Sequence, residues 1–272
     1  MKPWIAQIRR EFWEYRSLWM VPLLAAGISL CSTVALAIRM SDLQYGPQGM
    51  FRNNQTFGAP PGTDPLTLVI FVFSALIYGL GALAVVAYAF DCLYAERRDR
   101  SILFWKSLPV SDARTVLSKV AVTLVAMPVL LAALAIVTNL VCGLILSISP
   151  SPGSPVRTMW DLGRLLHAYG ALVGVTLVNI LWYAPLIAYA MLASVLSPKL
   201  PGVTGLVPPI VIVIVEKIVF DSGHALGWMA SRITTIYDVH RFIVSPQLWG
   251  GVVVAGAVFA VVIRLRRWRD DS

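Results

Sequence analysis

Apolar positions in this chain come in six long runs, separated by short stretches that hold most of the charge, proline and glycine. Runs of about 20 apolar residues match the thickness of a bilayer's hydrocarbon core when wound as helices. The runs predict spans over 18–38, 67–90, 120–148, 168–196, 203–220 and 247–263. Before the first run the pattern changes. Ile5, Ile8, Phe12, Tyr15 and Trp19 recur every three or four residues, while Gln7, Arg10, Glu11 and Glu14 fall mostly on the other side. That periodicity predicts an amphipathic helix over 1–18 lying at the bilayer interface. This mixed start, with Glu11 and Glu14, does not read as a cleavable signal. Pro128 is expected to kink the third span, because proline removes a backbone donor.

Composition agrees with the pattern. Of the 272 residues 58% are hydrophobic and 13% charged, about half the charged share of a soluble domain. The reading is an all-α integral membrane protein, a single transmembrane domain over 1–272. It leaves no room for a large soluble domain. The net charge of +8 would suggest nucleic acid in a soluble protein. Here the basic residues flank spans, and no nucleic-acid partner is expected. With the N-terminus inside, 15 of the 22 Lys and Arg fall on the inner side and 7 on the outer. That bias orients six spans with both termini in the cytoplasm. Cys31, Cys92 and Cys142 lie apart in apolar surroundings and read as small core residues, not as a metal set.

The charged connection 91–119 carries the most information. Glu96, Arg97, Arg98, Asp99 and Arg100 lead into Ile102, Leu103, Phe104, Trp105 and Leu108. Pro109 then ends the helix, and Ser111 or Asp112 can cap the next one. Pattern alone leaves three roles open for Phe104 and Trp105: burial in lipid, folding back on the bundle, or docking a partner.

The run Glu96-Arg97, Ser101-Ile102-Leu103, Ser107-Leu108-Pro109-Val110-Ser111 and Lys119 resembles the membrane subunits of ABC-2 type exporters. Where that family often has Gly-Thr-Leu, this chain has Ser101-Ile102-Leu103 after Arg100. The layout is similar too, with an N-terminal interfacial helix, six spans and short outer-side helices between spans 5 and 6, here 221–246. The resemblance implies a permease subunit in a bacterial plasma membrane, exporting a hydrophobic or amphipathic compound such as a peptide antibiotic, drug, lipid or glycan precursor. It implies a coupling helix that docks a cytoplasmic ABC ATPase through Glu96, Arg97, Arg98, Arg100, Ile102, Leu103, Phe104, Trp105 and Leu108. A second permease chain, identical or not, would complete the path. The sequence has no G-x-x-x-x-G-K-[ST] phosphate loop, so this chain is expected to bind no cofactor, with ATP and Mg on the partner.

Other constellations suggest other classes. Ser222-Gly223-His224, Ser231-Arg232 and His240 loosely resemble lipid-phosphate phosphatases. Asp221 replaces that family's proline, and seven residues separate Arg232 from His240 where the family has five. A non-transporting immunity or sensor protein is the third class. Glu216, Asn139 and Asn179 are candidates for a translocation path, because polar groups within spans are costly unless used.

Overall fold

The computed structural model describes residues 3–42, 65–99, 111–148, 161–224, 226–227 and 243–269. Among them the regular structure is helical throughout. In chain order the elements are α1 (Pro3–Glu14), α2 (Ser17–Asp42), α3 (Pro65–Asp91), α4 (Tyr94–Arg98), α5 (Asp112–Ala121), a π-helical segment (Val122–Ala126), α6 (Met127–Ile148), α7 (Leu162–Leu196), α8 (Pro201–Phe220) and α9 (Pro246–Arg269). Helix is what these sequences must form in lipid, where no water satisfies an open backbone N–H or C=O.

Six stretches are long and apolar enough to cross a membrane: Ser17–Ile38, Ile70–Arg98, Asp112–Ile148, Leu162–Leu196, Pro201–Phe220 and Pro246–Trp268. Two run well past the expected bounds. The helix entering the third span begins at Asp112, so the last part of the expected loop 91–119 is helical. Ser111 caps it, its Oγ accepting from the Arg114 N–H at 3.4 Å. The fourth begins at Leu162, so the mildly amphipathic piece before it is continuous with the span. At Pro128 the helix answers the missing N–H with the wider π turn just before it, Val122–Ala126. Most of the segment 221–246 lies outside the described residues.

The chain divides into two compact units. One comprises Met1–Arg16, Leu83–Pro128 and Val175–Ser272; the other comprises Ser17–Ala82 and Val129–Gly174. The second unit packs Ala25, Ala26, Ile70, Ile77, Leu131, Ala135, Ala168 and Leu172 into one core. Its small residues let helix backbones approach closely. Two hydrogen bonds cross between its helices: Asn139 Nδ2 donates to Ser74 Oγ at 2.8 Å, and Thr33 Oγ1 to Cys142 Sγ at 3.2 Å.

In the first unit, Val178, Trp182 and Leu248 form one cluster, and Ala184, Ala188 and Ala255 another with Leu124, Val258 and Phe259 around it. Helix α8 is almost wholly uncovered by the rest of the chain. It touches its unit at Gly205, where a methyl group would run into the Phe90 ring and meet Ala193 Cβ at 3.0 Å. Tyr189 Oη also donates to the Gly205 carbonyl at 2.7 Å. Gly205→Ala therefore overpacks the contact and should cost about 1–3 kcal/mol. Thermal unfolding of the purified protein in detergent measures this, with Gly202→Ala, which meets nothing nearby, as the control.

Candidate functional site

The chemically dense part of the molecule is a cluster of buried charges in the first unit. It begins with Lys119, fully buried in α5. Its Nζ lies 3.0 Å from each oxygen of Glu11 in α1 and 3.1 Å from Glu96 Oε1 in α4. Glu11 is also fully buried, and its Oε2 accepts from Tyr88 Oη at 2.7 Å. Arg10 Nη2 bridges the two carboxylates, 2.8 Å from Glu11 Oε1 and 3.2 Å from Glu96 Oε1. From α9, the buried Arg266 places Nη2 at 2.8 Å from Glu96 Oε2 and Nε at 3.7 Å from Asp112 Oδ1. Three cations thus face Glu11, Glu96 and Asp112, and Glu14 adds a fourth, more exposed carboxylate beside Arg10. Burying such charges is costly unless all are paired at short range.

The local sequence explains each placement. Lys119 sits one helical turn from Thr115, Val116, Val122 and Thr123, all buried, so its stem runs through the packed face of the helix. In α1 the buried face centres on Glu11, with Ile8, Phe12 and Tyr15 partly covered beside it, while Trp13 is 70% exposed. The helix turns its charged centre to the protein. Tyr15 and Tyr88 meet edge to face at 4.8 Å, and Tyr15 Oη bonds Asp91 Oδ2 at 3.3 Å.

The electrostatics follow from this packing. Burial alone would push the Glu11 carboxyl up. The charges of Lys119 and Arg10, with hydrogen bonds from Tyr88 and Lys119, outweigh it and hold Glu11 below the ordinary carboxylate range. Burial and the neighbouring Asp91 push the Tyr15 phenol up. Glu14, further out and 3.5 Å from Arg10, is pushed up by burial.

A second set of bonds fixes the break between α3 and α4. Ser194 Oγ, buried in α7, accepts the N–H groups of Leu93 and Tyr94 at 3.2 and 3.0 Å. These donors lack partners where the helix restarts. In return Arg97 Nη2 donates to the carbonyls of Ser194 and Ser197 at 2.6 and 3.1 Å, capping the end of α7.

The residues expected to dock a partner thus divide. Glu96 and Arg97 are held inside the chain. Arg98 is exposed, 2.9 Å from Asp99. Arg100, Ile102, Leu103, Phe104, Trp105 and Leu108 lie outside the described residues. Of the candidate path residues, Asn139 belongs to the second unit and Asn179 and Glu216 to the first. Asn139 is the partner of Ser74 in the second unit. Asn179, in the first, has its Oδ1 buried without a hydrogen-bond partner. Glu216 accepts from Ser222 Oγ at 2.6 Å and the His224 N–H at 2.9 Å, which fastens the end of α8. Ser222 and His224 are therefore tied to a carboxylate, while Ser231, Arg232 and His240 lie outside the described residues. Among the described residues no group of His, Cys, Asp and Glu is placed to hold a metal.

Sequence reasoning missed Arg10, Glu11, Lys119, Ser194 and Arg266 as a set. Lys119 did carry a signal, a cation flanked at helical spacing by apolar and small residues.

Six helices long and apolar enough to cross a membrane give the chain the character of a multi-pass α-helical membrane protein. No protein-family model, curated protein or solved structure matches the chain.

Removing one member of a buried network strands its partners. Lys119→Met should cost about 3–5 kcal/mol, because Glu11 and Glu96 lose their shared cation. Lys119→Met/Glu11→Gln should recover part of that loss, measured as thermal stability in detergent. The pH dependence has a definite sign. The Glu11 carboxyl is held below its unfolded value, so its contribution is complete above the ordinary carboxylate range and is lost as pH falls through the lowered value. The stability gap between wild type and Glu11→Gln should stay flat from about pH 8 to about pH 5 and narrow in more acidic buffers.

Proposed function

We propose that this chain is the membrane-spanning subunit of an ATP-driven exporter of the ABC-2 type, and that residues 99–111 dock a separate cytoplasmic ATPase. The observation that carries the reading is the anchoring of this segment on both sides. Glu96, three residues before it, and Asp112 and Lys119, one and eight residues after it, belong to one ion cluster. Arg97 and Ser194 add a second clamp at its start. A partner that pushes on the segment would therefore move α1, α4, α5, α7 and α9 together. Transport driven from outside the membrane requires that kind of stiffness. The motif resemblance, from Glu96-Arg97 through Leu108-Pro109-Val110-Ser111 to Lys119, supports the same reading.

In this reading Glu96 and Arg97 are positioning residues, and Phe104 and Trp105 enter the partner. The basic end holding α1, α4 and the end of α9 lies in the cytoplasm of a bacterial cell. ATP and Mg sit on the partner, and the cargo is hydrophobic or amphipathic. The resemblance also calls for a second permease chain, which we place against the uncovered α8.

The test is coexpression with the cognate ATPase. Phe104→Asp or Trp105→Asp should abolish copurification and stimulated ATP hydrolysis. Both should leave the thermal stability of the isolated permease within about 0.5 kcal/mol. Normal copurification and stimulation by these variants would overturn the docking role.

A further inference from the structure

The buried cluster sorts the arginines of α1 and α9 into two populations. Arg10 and Arg266 turn inward to the carboxylates. Their neighbours turn outward: Arg9 and Arg16 in and just after α1, and Arg264 and Arg267 in α9, are exposed. Each helix also exposes a tryptophan four residues after an outward arginine. Arg9 lies over the Trp13 ring at 5.2 Å, and Arg264 precedes Trp268 by the same spacing. Trp13 is 70% and Trp268 73% exposed. Of the carboxylates in α1, Glu11 is buried and Glu14 is drawn to Arg10 at 3.5 Å. Glu14 is itself exposed, so the outside of α1 carries Arg9, Arg16 and Trp13 with one carboxylate that Arg10 offsets.

Its depth in the bilayer follows from its contacts. Tyr15 bonds Asp91, the last residue of α3, and Glu11 bonds Tyr88 one turn earlier. Helix α1 therefore lies beside the end of a span, where headgroups begin. The end of α9 meets the same cluster, and both helices pack against α5. Tryptophan is at home at headgroup depth, and arginine there is drawn to negative lipid phosphates.

We propose that the outward faces of α1 and α9 form a binding surface for anionic phospholipid headgroups. Arg9, Arg16, Arg264 and Arg267 would engage phosphate, and Trp13 and Trp268 the glycerol level. Two outward arginines on each side outweigh the one exposed carboxylate of α1, and the net positive charge matches an anionic bilayer better than a zwitterionic one. Asp270 and Asp271 follow Trp268 outside the described residues, so the α1 face should contribute more. The proposal does not depend on an ATPase partner.

The test uses the purified full chain. Native mass spectrometry compares binding of phosphatidylglycerol and phosphatidylcholine with identical acyl chains. Wild type should prefer the anionic lipid by about tenfold, and R9Q/R16Q/R264Q/R267Q should remove the preference. If the quadruple variant does not fold, R9Q/R16Q alone should remove more of it than R264Q/R267Q. Oxidative footprinting in nanodiscs should show Trp13 and Trp268 better protected by phosphatidylglycerol than by phosphatidylcholine. No preference in wild type, a preference kept by the arginine variants, or protection that appears only when a partner protein is added would each overturn the proposal.

Discussion

Everything in the first unit turns on one ammonium group. Lys119 is fully buried, and no single carboxylate could hold it there. It needs Glu11 from one helix and Glu96 from another, and those two need Arg10 and Arg266 to complete their own shells. A buried ion pair is weak as a source of stability, because desolvation cancels much of the attraction. It is strong as a source of uniqueness. Charges at 3 Å tolerate neither a helix rotated by one residue nor one shifted by a turn. The cluster therefore sets the register among α1, α4, α5 and α9, while apolar contacts such as Val178 with Trp182 and Leu248 supply bulk.

The break between α3 and α4 works by the same logic with neutral groups. A helix that stops at Asp91 and restarts at Tyr94 exposes backbone donors at the edge of a nonpolar region. Ser194 takes two of them, and Arg97 answers by closing the end of α7. The bent chain is thereby held as firmly as a straight one. Helix α4 has only five residues and little intrinsic stability, so its direction is set by these two clamps.

The spans were legible because length and apolarity are local properties. The cap at Ser111 was legible for the same reason, since a cap acts over three residues. The bounds at Leu162 and Asp112 were harder. A span's end in sequence is a change of polarity, yet a helix continues past that change wherever its polar side chains find partners. Lys119 and Asp112 find theirs in the cluster. The cluster itself was nearly illegible. Glu11, Glu96, Lys119 and Arg266 each look like ordinary charges beside a span, and their pairing spans separations of 23, 108 and 170 positions in the chain. Only Lys119, seated among apolar neighbours, betrays burial in one dimension. The face of α1 that meets the protein was not legible, because Tyr88 and Lys119, the partners of Glu11, lie 77 and 108 positions away.

The π turn at Val122–Ala126 gives this arrangement a history. A π turn holds one residue more than the α-helix around it, and such turns are natural sites for gain or loss of a residue. Here it stands directly between Lys119 and the apolar body of α6. Loss of one residue within it would close the π turn to an α turn and leave the flanking helix facing much as before, whereas loss of one residue from the regular helix beside it would rotate Lys119 by about 100° against the span. Chain length in these five positions is thus under looser constraint than in the helix on either side, while burial constrains the side chains of Val122 and Thr123. Among descendants of this gene, gain or loss of a residue between Lys119 and the body of α6 should fall within this turn, while Val122 and Thr123 should stay close to their present size.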